Sequence, residues 1–233
     1  MPRDVGVVIV AAGQGTRLGG EVPKQFRPIA GVPMLLRTLR PFTTHPDVAE
    51  AVVVLSPEQA AAPPAWLAEL RGSGLKIAAG GATRTESAMA GVGALTGECA
   101  IVLVHDGARP FVDRATIDAV IAVARTGNGA VPAVPVGDTI KEADELASGG
   151  AILRTVPRER LYRAQTPQGF PRPLLEQAYR RASEAGSIAT DDAALVEAMG
   201  GPVSLVAGSE RNLKVTTAQD LAWAEWLAGT TTG

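Results

Sequence analysis

Runs of apolar residues alternate along the chain with segments whose apolar positions recur at helical spacing. Val5–Ala11, Ala51–Leu55, Leu75–Ala79, Ala100–His105 and Ala130–Val136 read as strands. Leu35, Leu36, Leu39 and Phe42 follow Pro33 at helical spacing, which puts Pro33 at the first helical position. Glu58–Arg71, Arg84–Leu95 and Arg114–Arg125 read as further helices, with Asp113 as the N-cap of the last. Strand–helix alternation of this kind predicts an α/β fold with a doubly wound, mostly parallel sheet. Ligands in such sheets sit outside the carboxyl ends of the strands. That edge is expected to carry Gly13, Gly80, Asp106 and Val136.

The rhythm breaks after Val136. Asp138–Lys141 and Ala151–Val156 look like two short strands joined by a polar turn at Ser148–Gly150, and this hairpin should project from the sheet as an arm at about 138–157. A Pro-flanked loop at Gln165–Gly169 follows, then a helix at Pro173–Ala185 and a capped helix opening at Thr190-Asp191-Asp192. A strand at Val203–Ala207, an extended Asn212–Val215 and a final helix from Gln219 close the chain. No internal repeat or linker interrupts it, so residues 1–233 are expected to form a single domain.

Composition narrows the picture. Hydrophobic residues make up 46% and aromatics 4%, so the core must be built from Val, Leu, Ile and Ala, which suits a covered parallel sheet. The net charge of −2 leaves no global basic footprint for nucleic acid, and any anion site must be local. The one cysteine, Cys99, excludes an internal disulfide and a multi-cysteine zinc site, and its place beside an apolar strand reads as a buried, inert thiol. No stretch approaches the ~20 apolar residues of a membrane span and no signal-peptide pattern is evident, so a cytoplasmic location is expected.

The candidate chemistry begins at the first turn. A buried strand runs into Ala11-Ala12-Gly13-Gln14-Gly15-Thr16-Arg17, with Lys24 a few residues on. Glycine lets a backbone approach a ligand and turn its N–H groups toward anionic oxygens, and nearby cations can hold a phosphate chain. A dinucleotide fingerprint needs G-x-G-x-x-G and an acidic residue ~20 residues on. Here the glycines follow Gly13-x-Gly15-x-x-x-Gly19, and the second strand ends without that acid. A Walker loop fails too, for want of Gly-Lys-Ser/Thr. What remains is a loop for a nucleoside triphosphate.

Ala11–Arg17 and Pro23-Lys24-Gln25 are joined along the chain by Gly80-Gly81-Ala82-Thr83-Arg84 with Ser87, Val104–Pro110, Asp138–Lys141, Arg158, Gln165–Gln168, Thr190–Asp192 and Asn212–Thr216. In this order the motifs resemble the alditol-phosphate nucleotidyltransferases, and among them the 2-C-methyl-D-erythritol 4-phosphate cytidylyltransferases of the non-mevalonate isoprenoid pathway. The resemblance covers nearly the whole chain. It implies a Rossmann-like nucleotidyltransferase sheet, with CTP and an alditol phosphate as substrates and Mg²⁺ as cofactor. Catalysis in such an enzyme is largely charge neutralisation and in-line positioning, which agrees with a chain that offers no Ser/His/Asp or Cys/His set.

The resemblance also implies roles. Arg17 and Lys24 would face charge building on the α-phosphate and leaving group, while Arg158 and Lys214 would aim the attacking phosphate. Ala11, Ala12, Gly13 and Gly15 would hold the triphosphate. Gly80, Gly81 and Ser87 would read cytosine, with Arg84 on the nucleotide side. Ala82 stands where some relatives carry an acid, so only a backbone contact is expected there. Asp106 is left open between a substrate-hydroxyl acceptor and a Mg²⁺ ligand, with Arg109 beside it for an oxyanion. Thr139 and Thr166 would complete the alditol-phosphate pocket. The arm bearing Thr139 and Arg158 would reach into a second copy's site, giving a homodimer with shared active sites. Thr190–Asp192 reads as a helix cap, and neither His45 nor His105 has a metal-ligand partner at short spacing. Two rival readings remain: a cytidylyltransferase for another polyol phosphate such as ribitol 5-phosphate, and a non-catalytic nucleotide-binding module.

Overall fold

A computed structural model of the chain describes residues 3–13, 22–70, 74–97, 99–144, 149–187 and 189–230. In chain order these carry β1 (Val5–Val10), a small hairpin of β2 (Pro28–Ile29) and β3 (Val32–Pro33), α1 (Met34–Thr43), β4 (Val48–Leu55), α2 (Pro57–Ala61) and α3 (Ala65–Glu69). Then come β5 (Leu75–Ala79), α4 (Arg84–Ala94), β6 (Ile101–Asp106), α5 (Arg114–Ala124), β7 (Gly129–Pro135), β8 (Ile140–Ala143) and β9 (Ile152–Val156). The chain continues through β10 (Tyr162–Ala164), β11 (Gln168–Pro171), α6 (Arg172–Ala185), α7 (Asp192–Ala198), β12 (Val203–Ala207) and α8 (Ala218–Thr230).

The main sheet runs β10-β7-β11-β6-β1-β4-β5, with β12 also on β7. β6, β1, β4 and β5 are mutually parallel, as are β12 and β7, and antiparallel β11 joins the two parallel groups. Strand residues alternate between the two faces, and both faces are apolar. Val5, Val7, Ile9, Val53, Leu55 and Leu103 bury one side under Leu35, Leu39 and Phe42 of α1 and Ile117, Val120 and Ile121 of α5. Val8, Val52, Val54, Val102 and Val104 bury the other under α4, α6 and α7. The expected doubly wound sheet is therefore present. α4 lies close enough that a Cβ on its Gly91 would come within 2.3 Å of Val8 Cγ1, so a glycine is what permits that approach. No helix among the described residues is long and apolar enough to cross a membrane.

Three expectations change. The helix read over Glu58–Arg71 is broken into α2 and α3, because Pro63-Pro64 supplies no N–H and restricts the residue before it; Arg71 lies outside the described residues. Pro33 is the N-cap of α1, paired with Pro28 in the small hairpin, not its first helical residue. The segment read as a Pro-flanked loop follows β10 and runs into β11 at Gln168; both are short strands antiparallel to β7, and their polar and small residues hide the strand pattern. The Thr166–Pro167 peptide between them is cis.

β8 and β9 form the expected hairpin, a separate two-stranded sheet in which Ile140 faces Val156. Ile152 and Leu153 are exposed on it.

Candidate active site

Register carries the chain's small residues to one edge. Val10 stands level with Val54 and Asp106, and Leu55 with Ala79, so β1, β4, β5 and β6 release their loops together. The first turn is tied on both sides: Ala11 N–H donates to Val54 O and Gly107 N–H to Val10 O, each at 2.8 Å. Thr38 of α1 donates to Gly107 O at 3.2 Å. Above this edge lies a cavity of about 420 Å³, floored by Val10–Gly13 and walled by Gly81–Arg84, Ser87, Asp106–Ala108, Lys24, Gln25, Lys214 and Thr216.

One wall is made by the start of α4. Thr83 and Glu86 cap that helix reciprocally, and Glu86 Oε2 also accepts from Ala82 N–H at 2.6 Å. The Ala82 N–H is thus engaged within the loop. Ser87 is buried against the cavity and donates to Thr83 O at 2.9 Å. Gly80 sits just beneath: a Cβ there would be 2.6 Å from Ser87 Oγ and 2.7 Å from Ala12 Cβ. On the opposite wall, Lys24 opens a single 3-10 turn after Pro23. The turn is held by the Gln25 hydrogen bond to Gln59 Oε1 (2.7 Å) and by the edge of Phe26 on Trp66, with ring centroids 6.3 Å apart.

The electrostatics centre on Asp106, at the end of β6. Arg84 Nε lies 3.3 Å from its Oδ1, and Lys214 Nζ (2.9 Å) and Arg109 Nε (3.6 Å) from its Oδ2. Burial alone would raise this carboxyl. Arg84, Lys214 and Arg109 outweigh burial and hold it well below the usual carboxylate range. Burial also lowers the Arg109 guanidinium. For Arg84 the burial effect is overcome by Asp192 and Asp106, which raise it. Lys214 reaches the site from the segment before α8, where Val215 N–H donates to Ala108 O at 2.8 Å. The described lining residues therefore bring three cations, Lys24, Arg84 and Lys214, against one carboxylate.

Of the residues singled out from sequence, Ala11, Ala12, Gly13, Lys24, Gly81, Ala82, Arg84, Ser87, Asp106 and Lys214 share this cavity. Gly15 and Arg17 lie outside the described residues. Thr166 does not line the described cavity. Its hydroxyl is buried, accepts from Asp106 N–H at 3.0 Å and faces His105 Nδ1 at 3.0 Å, so it supports Asp106 from behind. Arg109 likewise stands behind Asp106, donating to Asn212 O at 2.7 Å. Thr139 and Arg158 are exposed at the base of the arm and line no part of this chain's described cavity; Arg158 donates to Gly137 O. Val136, expected at the same edge, is also absent from the described cavity wall and donates to Leu161 O.

Sequence reasoning missed the residues that hold these in place. Asn212 Nδ2 donates to Thr166 O at 2.8 Å. Asp192, read as part of a helix cap, accepts from Arg84 at 2.9 Å. The available signal was one acid too many, since a cap needs a single carboxylate and Asp191 performs it.

A family model described as IspD, 2-C-methyl-D-erythritol 4-phosphate cytidylyltransferase, matches residues 5–229. The chain is 46% identical over 227 residues to a bifunctional enzyme IspD/IspF of Rhodospirillum rubrum, covering 96% of this chain and 56% of that protein. It is 37% identical over 224 residues to a 2-C-methyl-D-erythritol 4-phosphate cytidylyltransferase of Carboxydothermus hydrogenoformans, covering 96% of this chain and 94% of that one. Among solved structures, the chain is similar to the crystal structure of the 2-C-methyl-D-erythritol 4-phosphate cytidylyltransferase from Thermus thermophilus. That match has a TM-score of 0.79 and 40% identity over 95% of this chain and 98% of the other.

Proposed function

The chain belongs to the 2-C-methyl-D-erythritol 4-phosphate cytidylyltransferase family, and from that premise we propose that it joins CTP and 2-C-methyl-D-erythritol 4-phosphate, releasing pyrophosphate, in non-mevalonate isoprenoid precursor synthesis. The observation that carries this reading is the charge of the cavity. Three cations face one carboxylate over a floor of small residues at the carboxyl edge of the sheet. A polyanion is the ligand such a site suits, and two phosphate-bearing substrates supply one.

The reaction needs no activated side-chain nucleophile. An anionic oxygen of the alditol phosphate forms a bond to the α-phosphorus of CTP. The bond from that phosphorus to the bridging α–β oxygen breaks, and pyrophosphate leaves with the electron pair. Negative charge gathers on the α-phosphoryl oxygens and the leaving group. Fixed cations stabilise that charge because they are already in place when it develops. Lys24, with Arg17, is assigned to the nucleotide side, and Lys214 to the meeting point of the two phosphates. Ser87 and the backbone of Ala12, Gly80 and Gly81 are assigned to the base. Asp106, kept ionised by its cations, suits acceptance of substrate hydroxyls.

Magnesium enters the proposal with the nucleotide. It takes oxygen ligands, usually from one or two carboxylates together with phosphates and water. Asp106 is the carboxylate among the described lining residues, and no cluster of three His, Cys, Asp or Glu side chains occurs among the described residues. Both Asp106 oxygens face cations. The residues thus fit an ion carried mainly by the triphosphate, with Asp106 as at most one ligand. Bound there, Mg²⁺ would neutralise phosphate charge.

The arm belongs to the same proposal. A lone two-stranded hairpin is marginal in water, and this one exposes Ile152 and Leu153 together with Thr139 and Arg158. We assign it to an isologous homodimer in which each arm serves the other copy's cavity. Water-soluble anionic substrates suit the cytoplasm, the location proposed with it.

The test is CTP-dependent pyrophosphate release with 2-C-methyl-D-erythritol 4-phosphate, run against ribitol 5-phosphate. Faster turnover of ribitol 5-phosphate refutes the substrate, and no release with any polyol phosphate refutes the transferase. Mixing Arg158→Ala with Lys214→Ala protein should restore activity through hybrid dimers; inert mixtures that demonstrably exchange subunits refute the shared site.

A further inference from the structure

Asp192 is the first residue of α7 but does not cap it. Asp191 does so, accepting Ala194 N–H at 3.0 Å. The Asp192 side chain is 1% exposed and both its oxygens are used. Oδ1 accepts from the Tyr179 hydroxyl at 2.8 Å, and Oδ2 from Arg84 Nη1 at 2.9 Å. The backbone of the same residue is held as well. Gln168 Oε1 accepts from Asp192 N–H (3.1 Å) and Ala193 N–H (2.9 Å), while Gln168 Nε2 donates to Asp191 Oδ2 at 2.8 Å. Placing a carboxylate this deep is costly unless it is paired and hydrogen-bonded. Burial pushes it up against the pull of Arg84 and Tyr179.

The other side of the Arg84 guanidinium faces the cavity. Its Nε is 3.3 Å from Asp106 Oδ1, and its Nη2 makes no hydrogen bond among the described residues. A guanidinium prefers to grip a carboxylate through two parallel N–H bonds. With no counter-charge behind it, Arg84 would rotate to grip Asp106, where Lys214 and Arg109 already converge. Asp192 prevents this by taking Nη1. Arg84 then meets Asp106 along one edge only.

We propose that Asp192 is a positioning residue for the reaction: it anchors Arg84 from behind, so that the guanidinium presents its remaining N–H groups to anionic oxygens of the nucleotide and does not close on Asp106. This rests on reading the cavity as the CTP site. Tyr179 and Gln168 act one step further back, holding the anchor.

The test is CTP affinity measured by calorimetry on the full chain without acceptor. Asp192→Asn keeps the shape and removes the charge. It should weaken CTP roughly tenfold, the scale of one charge-assisted hydrogen bond, and in turnover raise KM for CTP more than it lowers kcat. Arg84→Ala should weaken CTP at least as much. The double variant should bind no worse than Arg84→Ala alone, because a residue that acts through Arg84 has nothing left to act on. A loss from Asp192→Asn that persists undiminished in the Arg84→Ala background marks a general structural effect and overturns the proposal. So does unchanged CTP affinity in folded Asp192→Asn. If that variant does not fold, Tyr179→Phe runs the same cycle with Arg84→Ala, and additivity there is equally fatal. Failure of the unaltered protein to bind CTP removes the nucleotide reading and this inference with it. Normal binding there, with no Asp192 effect, removes this inference alone.

Discussion

Acidification should destabilise this protein through His105, in the strand that ends at Asp106. The ring is fully buried and packs on Phe42, with ring centroids 4.9 Å apart. Its Nε2 faces Arg109 O at 3.1 Å, and its Nδ1 faces the Thr166 hydroxyl at 3.0 Å. A carbonyl can only accept, so Nε2 carries the proton in the neutral ring. Nδ1 then accepts from Thr166, whose oxygen in turn accepts the Asp106 N–H. Burial lowers the imidazole from 6.5 to about 4, and the Arg109 carbonyl and the Asp106 charge only partly oppose it. The sign follows from proton counting. As pH falls below 6.5 the unfolded chain takes up a proton that the folded protein refuses, so stability is full above that value and is lost towards about 4. Between about pH 7 and about pH 5 the loss comes to about 2 kcal/mol from this one group. Urea unfolding across that interval measures it, with His105→Gln as the comparison. The variant should lose about 2 kcal/mol less than the unaltered protein, since every other titratable group is common to both and cancels. Equal losses in the two proteins, or a His105 ring that titrates by NMR near the ordinary histidine value, would refute the reasoning.

Two further outcomes test the site directly. Lys24→Ala should lower kcat by ~10²-fold, the scale of removing one fixed electrostatic stabiliser, and steady-state rates at saturating CTP check it. Gly80→Ala places a methyl 2.6 Å from Ser87 Oγ and 2.7 Å from Ala12 Cβ. It should weaken CTP binding by displacing Ser87 and the first turn, and cost about 1–3 kcal/mol of stability by overpacking, read by calorimetry and by thermal melting.

Much of the fold could be read in advance because β1, β4, β6 and β7 are buried on both faces over most of their length, and such strands must be continuous apolar runs. The helices over them show as well, since each buries one stripe. Gln168-Gly169-Phe170-Pro171 has no such signature. It is a strand because β6 and β7 leave a place between them that backbone hydrogen bonds fill. Helix α3 begins anew at Ala65 for a local reason, the two prolines, and that boundary was legible in principle.

The candidate site divides in the same way. Ala11–Gly13, Lys24, Gly80–Arg84 and Asp106 can be picked out because loops that must approach a polyanion require small residues and cations, whatever surrounds them. Sequence alone also determined the doubly wound sheet and the edge at which the cavity opens. It did not determine which carboxylate answers which cation. Asp106 and Lys214, 2.9 Å apart, and Arg84 and Asp192, likewise 2.9 Å apart, are brought together only when α6, α7 and the segment before α8 close over the sheet. Thr166, to which the resemblance gives a substrate role, is set against Asp106 and His105 only when β11 pairs with β6. Pairing energies fall steeply with distance and rise with burial, and both quantities exist only once the chain has packed.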